Sequence, residues 1–323
     1  MSAIHGLGTA FPAETARGEA FGASPAQLER CGFKTIHAAA AAGETPALLL
    51  RAAQAAIADA GDARERIGAI VVARSGIAPE LDATWLSLLL ARGLGVKGAA
   101  CLDLKATGCA GLVQALHVVQ PLATARKWDR VLIVGGGASG YRRRWLPTVD
   151  ADDGVLVGDG AWAVVVGAGP GKLAIESAEV VTDPTFAEAL TVDGTDHVVR
   201  SADEEKAWLA AAPQHMARVA FEAIGRSTAR LGVPIFFAGT NSGVAIKREI
   251  AQRLAANATD PRFARGLDVQ LAAMATDGHL FGGDTVANLV ALRGADVLRA
   301  GDVIVCAEAG DVTFYGAMVL RVA

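Results

Sequence analysis

The sequence predicts an α/β protein built from two topologically similar halves, and three observations carry that prediction. Short β-branched runs alternate with longer, alanine-rich stretches of helical spacing along the whole chain. A glycine-rich segment, GAGPGK at Gly167–Lys172, punctuates the middle. On either side of it the same succession recurs, and each half closes on a strand that follows a Gly-Asp pair.

In order along the first half, Ile4–Ala10 reads as an opening strand stopped by Pro12. GAIVVA from Gly68, CLDLKA from Cys101, RVLIVG from Arg130 and WAVVVG from Trp162 read as short strands. Between them, ALLLRAAQAAIADAG and LVQALHVVQPLATA repeat apolar residues at helical spacing. In the second half, PIFFAG leads into TNSG and the helix VAIKREIAQRL, as CLDLKA leads into small residues and the helix after Cys109. RVLIVGGGA has its counterpart in DVIVCAEAG, Asp302–Gly310. GDGAWAVVVG from Gly158 and GDVTFYGAMVLRV from Gly310 supply the two closing strands. This places the halves at 1–169 and 170–323, with an active site expected between them.

Composition narrows the function. At 323 residues, 52% apolar and 20% charged, the chain can build a large interior. A net charge of −4 and 5% aromatic residues argue against nucleic acid, whose phosphates need a cationic surface and whose bases need stacking platforms. No run approaches the ~18–20 apolar residues of a membrane span, and the N-terminus lacks the basic-then-apolar order of a secretory signal. The four cysteines, Cys31, Cys101, Cys109 and Cys306, form no CxxC pair, so neither a metal site nor a redox dithiol is expected. A reduced, cytoplasmic protein follows.

Gly135, Gly137 and Gly140 have the GxGxxG spacing of a dinucleotide loop. That loop needs a helix opening directly after it, and YRRRWLP (Tyr141–Pro147) has no amphipathic pattern. The glycines are better explained by a chain turning against a packed neighbour, and the arginines by a solvated surface. Contacts to an acidic carrier protein or a phosphate arm are the second reading for those arginines.

Cys109 stands after a strand and Thr107-Gly108, at the head of a helix reaching about Ala125. Unpaired N–H groups at a helix start favour a thiolate there. The residues alone leave two readings, a reactive nucleophile or a small buried hydrophobe; Cys101 and Cys306, inside strands, are read as structural. Of six histidines, His5, His37, His117, His197 and His215 read as packed or surface residues, whereas His279 sits in the glycine-rich loop DGHLFGGD. Asp284 is most simply the N-cap of the helix DTVANLVAL. Asp311, on a glycine loop just past a strand, is placed to orient the His279 imidazole, with Glu308 in reserve.

With these pieces in place, the chain resembles the thiolase-fold β-ketoacyl-acyl-carrier-protein synthase III family over nearly its whole length. DLKATGCAG resembles the family's D-x-x-x-A-C-x-G nucleophile segment, GDGAWAVVVG its GDGAGAVVL, and GDVTFYGAMVLRV its closing glycine loop and strand. The resemblance implies a thiolase-like fold of mixed sheets between helices in αβαβα layers, Cys109 as the acylated residue, and a homodimer.

Two departures bear on the chemistry. The family's H-Q-A-N segment reads FFAGTNSG here, so its histidine is missing while Asn241 stands for its asparagine. The family's G-N-T-S loop reads GHLFGG, with His279 in the asparagine's place. Decarboxylative condensation stabilises an enolate with paired donors, and losing one such donor lowers rates by about 10²–10³ in studied cases. A histidine backed by an acid instead deprotonates the thiol and then an incoming hydroxyl or amine. The same exchanges occur in a branch of the family that transfers acyl groups to alcohols without forming carbon–carbon bonds, and the chain is most similar to that branch.

The resemblance thus implies a triad of Cys109, His279 and Asp311, an oxyanion hole from the N–H groups of Cys109 and Gly310 or Asp311, and Asn241 at the pocket. The implied substrate is an acyl-coenzyme A or a phosphopantetheine thioester on an acyl carrier protein, with no tightly bound cofactor, and the acceptor is a small molecule of a natural-product pathway. SPAQLERCGF lacks the tryptophan that stacks on coenzyme A in many members, so the carrier protein is as good a donor. Trp162, in place of the second glycine of GDGAG, reads as core filling. Residues 180–214 have no counterpart and either shape the acceptor pocket or form a surface insertion. The alternatives are a decarboxylating synthase III-type condensing enzyme and a non-catalytic subunit of a heterodimeric synthase.

Overall fold

The computed structural model describes residues 3–323 except 62–63, 74–84, 105–107, 139–143, 149–151, 188, 194–195, 200, 230–234, 255–258 and 311–312. Among the described residues, nine strands share one mixed sheet. They are β1 (Ala3–Ala10), β4 (Ile67–Ala73), β5 (Ala100–Leu104), β6 (Arg130–Gly137), β9 (Gly160–Gly167), β10 (Leu173–Thr182), β13 (Ile235–Phe237), β14 (Val303–Gly310) and β15 (Phe314–Val322). Their order is β13-β14-β15-β10-β1-β9-β6-β4-β5. Three two-stranded ribbons complete the set: β2 (Thr15–Arg17) with β3 (Thr35–His37), β7 (Trp145–Pro147) with β8 (Gly154–Leu156), and β11 (Leu190–Asp193) with β12 (Asp196–Val199).

The sheet has two wings. β1 joins β10 through only two residue pairs, Ala3 with Ala174 and Ile4 with Leu173, while longer antiparallel ladders tie β1 to β9 and β10 to β15. Moving outward, β9 meets β6 antiparallel and β6 meets β4 parallel; in the other wing β15 meets β14 antiparallel and β14 meets β13 parallel. RVLIVGGGA and DVIVCAEAG therefore occupy matching positions. PIFFAG does not match CLDLKA, as the sequence suggested: β13 holds the place of β4, GAIVVA. PIFFAG and CLDLKA both lead into small residues and a helix, which is what made the two look alike. We propose 169/170 as the division between halves.

Helices fill the layers as their apolar faces require. α1 (Pro25–Cys31) opens on a capping box, Ser24 with Gln27. α2 (Thr45–Ala60) and α3 (Leu86–Leu94) cover one outer face, burying Leu49, Ala52, Ala56 and Leu90 against β4, β6 and β9. A side chain at Gly6 or Gly8 would collide with the α2 backbone near Ala52 and Ala56, so these two glycines let β1 and α2 approach closely. α4 (Gly111–Arg126) and the later α8 (Asp284–Gly294) share the central core with residues of both wings, including Ile133, Trp162, Ile304 and Met318. α5 (Ala202–Gly225) and α6 (Val244–Leu254) pack on the far face with Phe237, Val305 and Tyr315. α7 (Pro261–Asp277) lies beside α8. The result is the αβαβα layering of a thiolase-like fold.

Gly135–Gly137 of the glycine run belong to β6, and Gly140 lies outside the described residues. Gly135 packs against the Trp162 ring, and Gly136 and Gly137 have φ of 80° and 129°. Trp162 is buried in the core, the space-filling place expected for it. Residues 180–214 comprise the end of β10, a short turn, the β11–β12 ribbon and the start of α5. Among the described residues no helix is long and apolar enough to cross a membrane.

Candidate active site

Cys109 lies in a short 3-10 turn, Gly108–Ala110, that runs directly into α4. Gly108 takes φ of 50°, a left-handed conformation that glycine adopts freely. The turn faces the loop 278–283, which is fixed from its other side by the β8 segment. His279 N–H donates to Leu156 O, and Gly158 N–H donates back to His279 O. A side chain at Gly282 would crowd the carbonyls of Gly108 and Cys109, and one at Gly283 would strike Trp162. The paired glycines thus bring the loop against the cysteine.

The two sequence candidates meet. Cys109 Sγ is 3.2 Å from His279 Nε2, and both residues are buried, at 8% and 7% exposure. His279 Nδ1 is 2.6 Å from Asp284 Oδ2. An ionised carboxylate only accepts, so Nδ1 carries the proton and Nε2 is free to accept from the thiol. The Phe281 ring tilts against the imidazole at 4.9 Å between centroids. Phe281 holds φ of 53°, a backbone strain of order 1–3 kcal/mol of the kind that collects at functional sites.

Asp284 is not the N-cap expected for it. Gly283 holds that position, and Asp284 is the first residue of α8, wholly buried. Its carboxylate accepts from His279 and from the N–H groups of Leu280 and Asn241, each of the latter at 2.7 Å. Asp311, expected to orient His279, lies outside the described residues. Gly310 ends β14 and is buried. Asn241 is buried with its amide engaged on both sides: Nδ2 donates to Gly278 O at 3.2 Å, and Oδ1 accepts from Lys247 Nζ at 2.7 Å and Asn288 Nδ2 at 3.2 Å.

Two further groups escape a reading of the sequence. Lys247 is wholly buried although lysines rarely are, and burial pulls its ammonium down to about 7 against the opposing charge of Asp284. A signal existed, since Lys247 lies on the apolar stripe of α6 with Val244, Ala251 and Leu254. Arg144, expected on a solvated surface, is buried and grips Asp159 with two hydrogen bonds of 2.9 and 2.7 Å; Arg142 and Arg143 lie outside the described residues.

Glu308, the reserve acid, is wholly buried next to Thr285, with neither carboxyl oxygen in a hydrogen bond of normal geometry. Burial first, then the charge of Asp284, pushes its carboxyl well above the usual range. A group whose folded pKa exceeds its unfolded value stabilises fully below the unfolded value, here 4.5, and loses that contribution as pH rises toward the folded pKa. Glu308→Gln, which needs no proton, should therefore gain in melting temperature relative to the parent as pH is raised from 4.5 to 8. A difference that stays constant across that range in calorimetry would mean Glu308 is not held as the neutral acid.

Comparison with known proteins agrees with this architecture. Residues 102–184 match the family described as 3-oxoacyl-[acyl-carrier-protein (ACP)] synthase III. The chain is 36% identical over 170 residues to the β-ketoacyl-[acyl-carrier-protein] synthase III of Paracoccus denitrificans, covering 51% of each chain. It is 29% identical over 298 residues to that of Rhodobacter capsulatus, covering 90% of this chain and 88% of the relative. The matched region spans about half the length of the first curated relatives. In structure it superposes on the 3-oxoacyl-[acyl-carrier-protein] synthase III of Aquifex aeolicus with a TM-score of 0.80, 19% identity and coverage of 99% and 100%. The chain has a thiolase-like fold, and its sequence is similar to synthase III proteins over residues 102–184 and, at lower identity, over most of its length.

Proposed function

We propose that the protein takes an acyl group from a coenzyme A or carrier-protein thioester onto Cys109 and passes it to an acceptor hydroxyl or amine. The observation that carries this reading is the relay of Cys109, His279 and Asp284, with contacts of 3.2 and 2.6 Å. In the first half, His279 Nε2 accepts the thiol proton and Sγ attacks the thioester carbonyl carbon. The N–H groups of Cys109 and of Gly310 hold the oxyanion. The tetrahedral adduct collapses, and the carrier thiol leaves with the proton from His279. In the second half, His279 takes the acceptor's proton, the acceptor oxygen or nitrogen attacks the acyl carbon, and Cys109 leaves as the thiol. Asp284 holds the imidazole in one tautomer and balances its charge when protonated.

A second reading, decarboxylating condensation, is favoured by the relatives' names, which are β-ketoacyl synthases. Those names support condensation better than transfer to a hydroxyl or amine. Against it stands the segment FFAGTNSG, which carries no histidine where the family's H-Q-A-N segment has one of the paired donors that an enolate needs.

One experiment separates the two. The protein is incubated with acetyl and malonyl thioesters of coenzyme A and carrier protein, and both its intact mass and released carbon dioxide are followed. Transfer chemistry predicts an adduct on Cys109 that keeps a malonyl carboxylate and clears only with an acceptor. Stoichiometric carbon dioxide with a lengthened ketoacyl product would establish condensation instead.

A further inference from the structure

One step from Asp284, through Asn241, the chain buries a lysine. Lys247 is 1% exposed, and its Nζ donates to Asn241 Oδ1 at 2.7 Å and Gly239 O at 3.1 Å. These acceptors are neutral, and neutral hydrogen bonds alone are poor compensation for removing an ammonium from water. Asp284 supplies the missing charge: it is the ionisable group whose field raises the proton affinity of Lys247 against burial. The two are linked through one residue, because the N–H of the same Asn241 donates to Asp284 Oδ2, the oxygen that holds His279.

We propose that Lys247 is a positioning residue whose ammonium is the counter-charge of Asp284, and that through Asp284 it lowers the proton affinity of the Cys109–His279 pair. The idea rests on the reading of that pair as reactive, but not on what accepts the acyl group. With Lys247 charged, the imidazolium–thiolate form of the site contains two cations and two anions in balance. Without it, Asp284 and the thiolate face one imidazolium, and the site holds its proton more tightly. Its value of about 7 leaves the ammonium about half populated at neutrality and predominant below it.

Other charges near this chain of contacts do not replace it. Glu308, on β14, is pushed toward its neutral form by burial and by the charge of Asp284. Arg248 and Glu249, on α6 itself, are exposed. The Phe237 ring, 6.0 Å from Nζ, and the Asn288 amide are neutral.

The loop does not depend on Lys247 alone for its hydrogen bonds. Asn288 Nδ2 donates to Gly239 O at 2.7 Å and to Asn241 Oδ1, so both acceptors keep a donor when the ammonium is removed. Lys247→Met is close in volume and apolar, and by removing one member of a buried charge pair it leaves Asp284 uncompensated, which costs stability. Lys247→Gln keeps a donor but not the charge.

The test is the rate of Cys109 alkylation by iodoacetamide from pH 5 to 9.5, resolved from the other cysteines by peptide mapping. It is run on the full chain and both variants, with melting temperature measured alongside. Both variants should melt below the parent yet stay folded at the assay temperature, and both should move the acid limb to higher pH, so that alkylation at a fixed pH on that limb falls about tenfold, one pH unit. Profiles superimposable on the parent's would overturn the proposal, as would a normal profile in Lys247→Gln beside a shifted one in Lys247→Met, which would assign the effect to hydrogen bonding. Failure of the Cys109–His279 reading looks different: the parent itself would alkylate like an ordinary thiol, with its limb near ~8.5.

Discussion

Asp284→Asn should lower single-turnover acyl transfer from Cys109 by about 10³–10⁴-fold, whereas Asp311→Asn should change it far less. The asparagine keeps one oxygen for the N–H of Leu280 or Asn241, but its amide nitrogen can face Nδ1 only as a donor. The imidazole then places its proton on Nε2, and a nitrogen carrying a proton cannot accept one from Cys109 Sγ. In a serine-protease triad the same exchange lowers kcat about 10⁴-fold with the geometry kept. Rapid-quench measurement of acyl-enzyme formation and decay checks the pair of variants. Equal losses in both, or a larger loss at Asp311, would return the orienting role to the C-terminal loop.

Cys109→Ala is expected to abolish the acyl adduct while leaving the fold intact. The thiol is small, and alanine fills most of its place among Val157 and Phe281, so a melting temperature within a few degrees of the parent's is expected. Intact-mass analysis reads the adduct directly. Adduct retained in the variant would move the nucleophile elsewhere, and unchanged output of the pathway in a cell carrying it would favour the non-catalytic subunit. Cys306 is not a ready substitute, because burial raises its thiol well above the usual range and holds it protonated in β14.

Much of the site was legible because it depends on local chemistry. A cysteine between glycines at a helix head, and a histidine in a loop of glycines, carry their meaning in a few neighbouring residues. The pairing of His279 with its acid was not legible. Asp284, five residues on at a helix start, has the local signature of a cap, and a cap is what its sequence neighbours support. Only the fold shows that the loop turns back, so that its carboxylate meets Nδ1 instead. Lys247 gives only a weak signal: it lies on the apolar stripe of α6 beside the charged Arg248 and Glu249, and its burial is set by what α6 packs against.

By itself, the sequence determined the layered α/β architecture and most of the strand and helix succession, and it singled out Cys109 and His279 as candidates. Periodicity, glycine placement and β-branching act within a few residues and survive without knowledge of distant contacts. Tertiary structure decided which half-strands correspond, which aspartate faces the histidine, and that Arg144 and Lys247 are buried. Those outcomes depend on residues far apart in the chain, where the field and desolvation of a charged group are set by its neighbours in space.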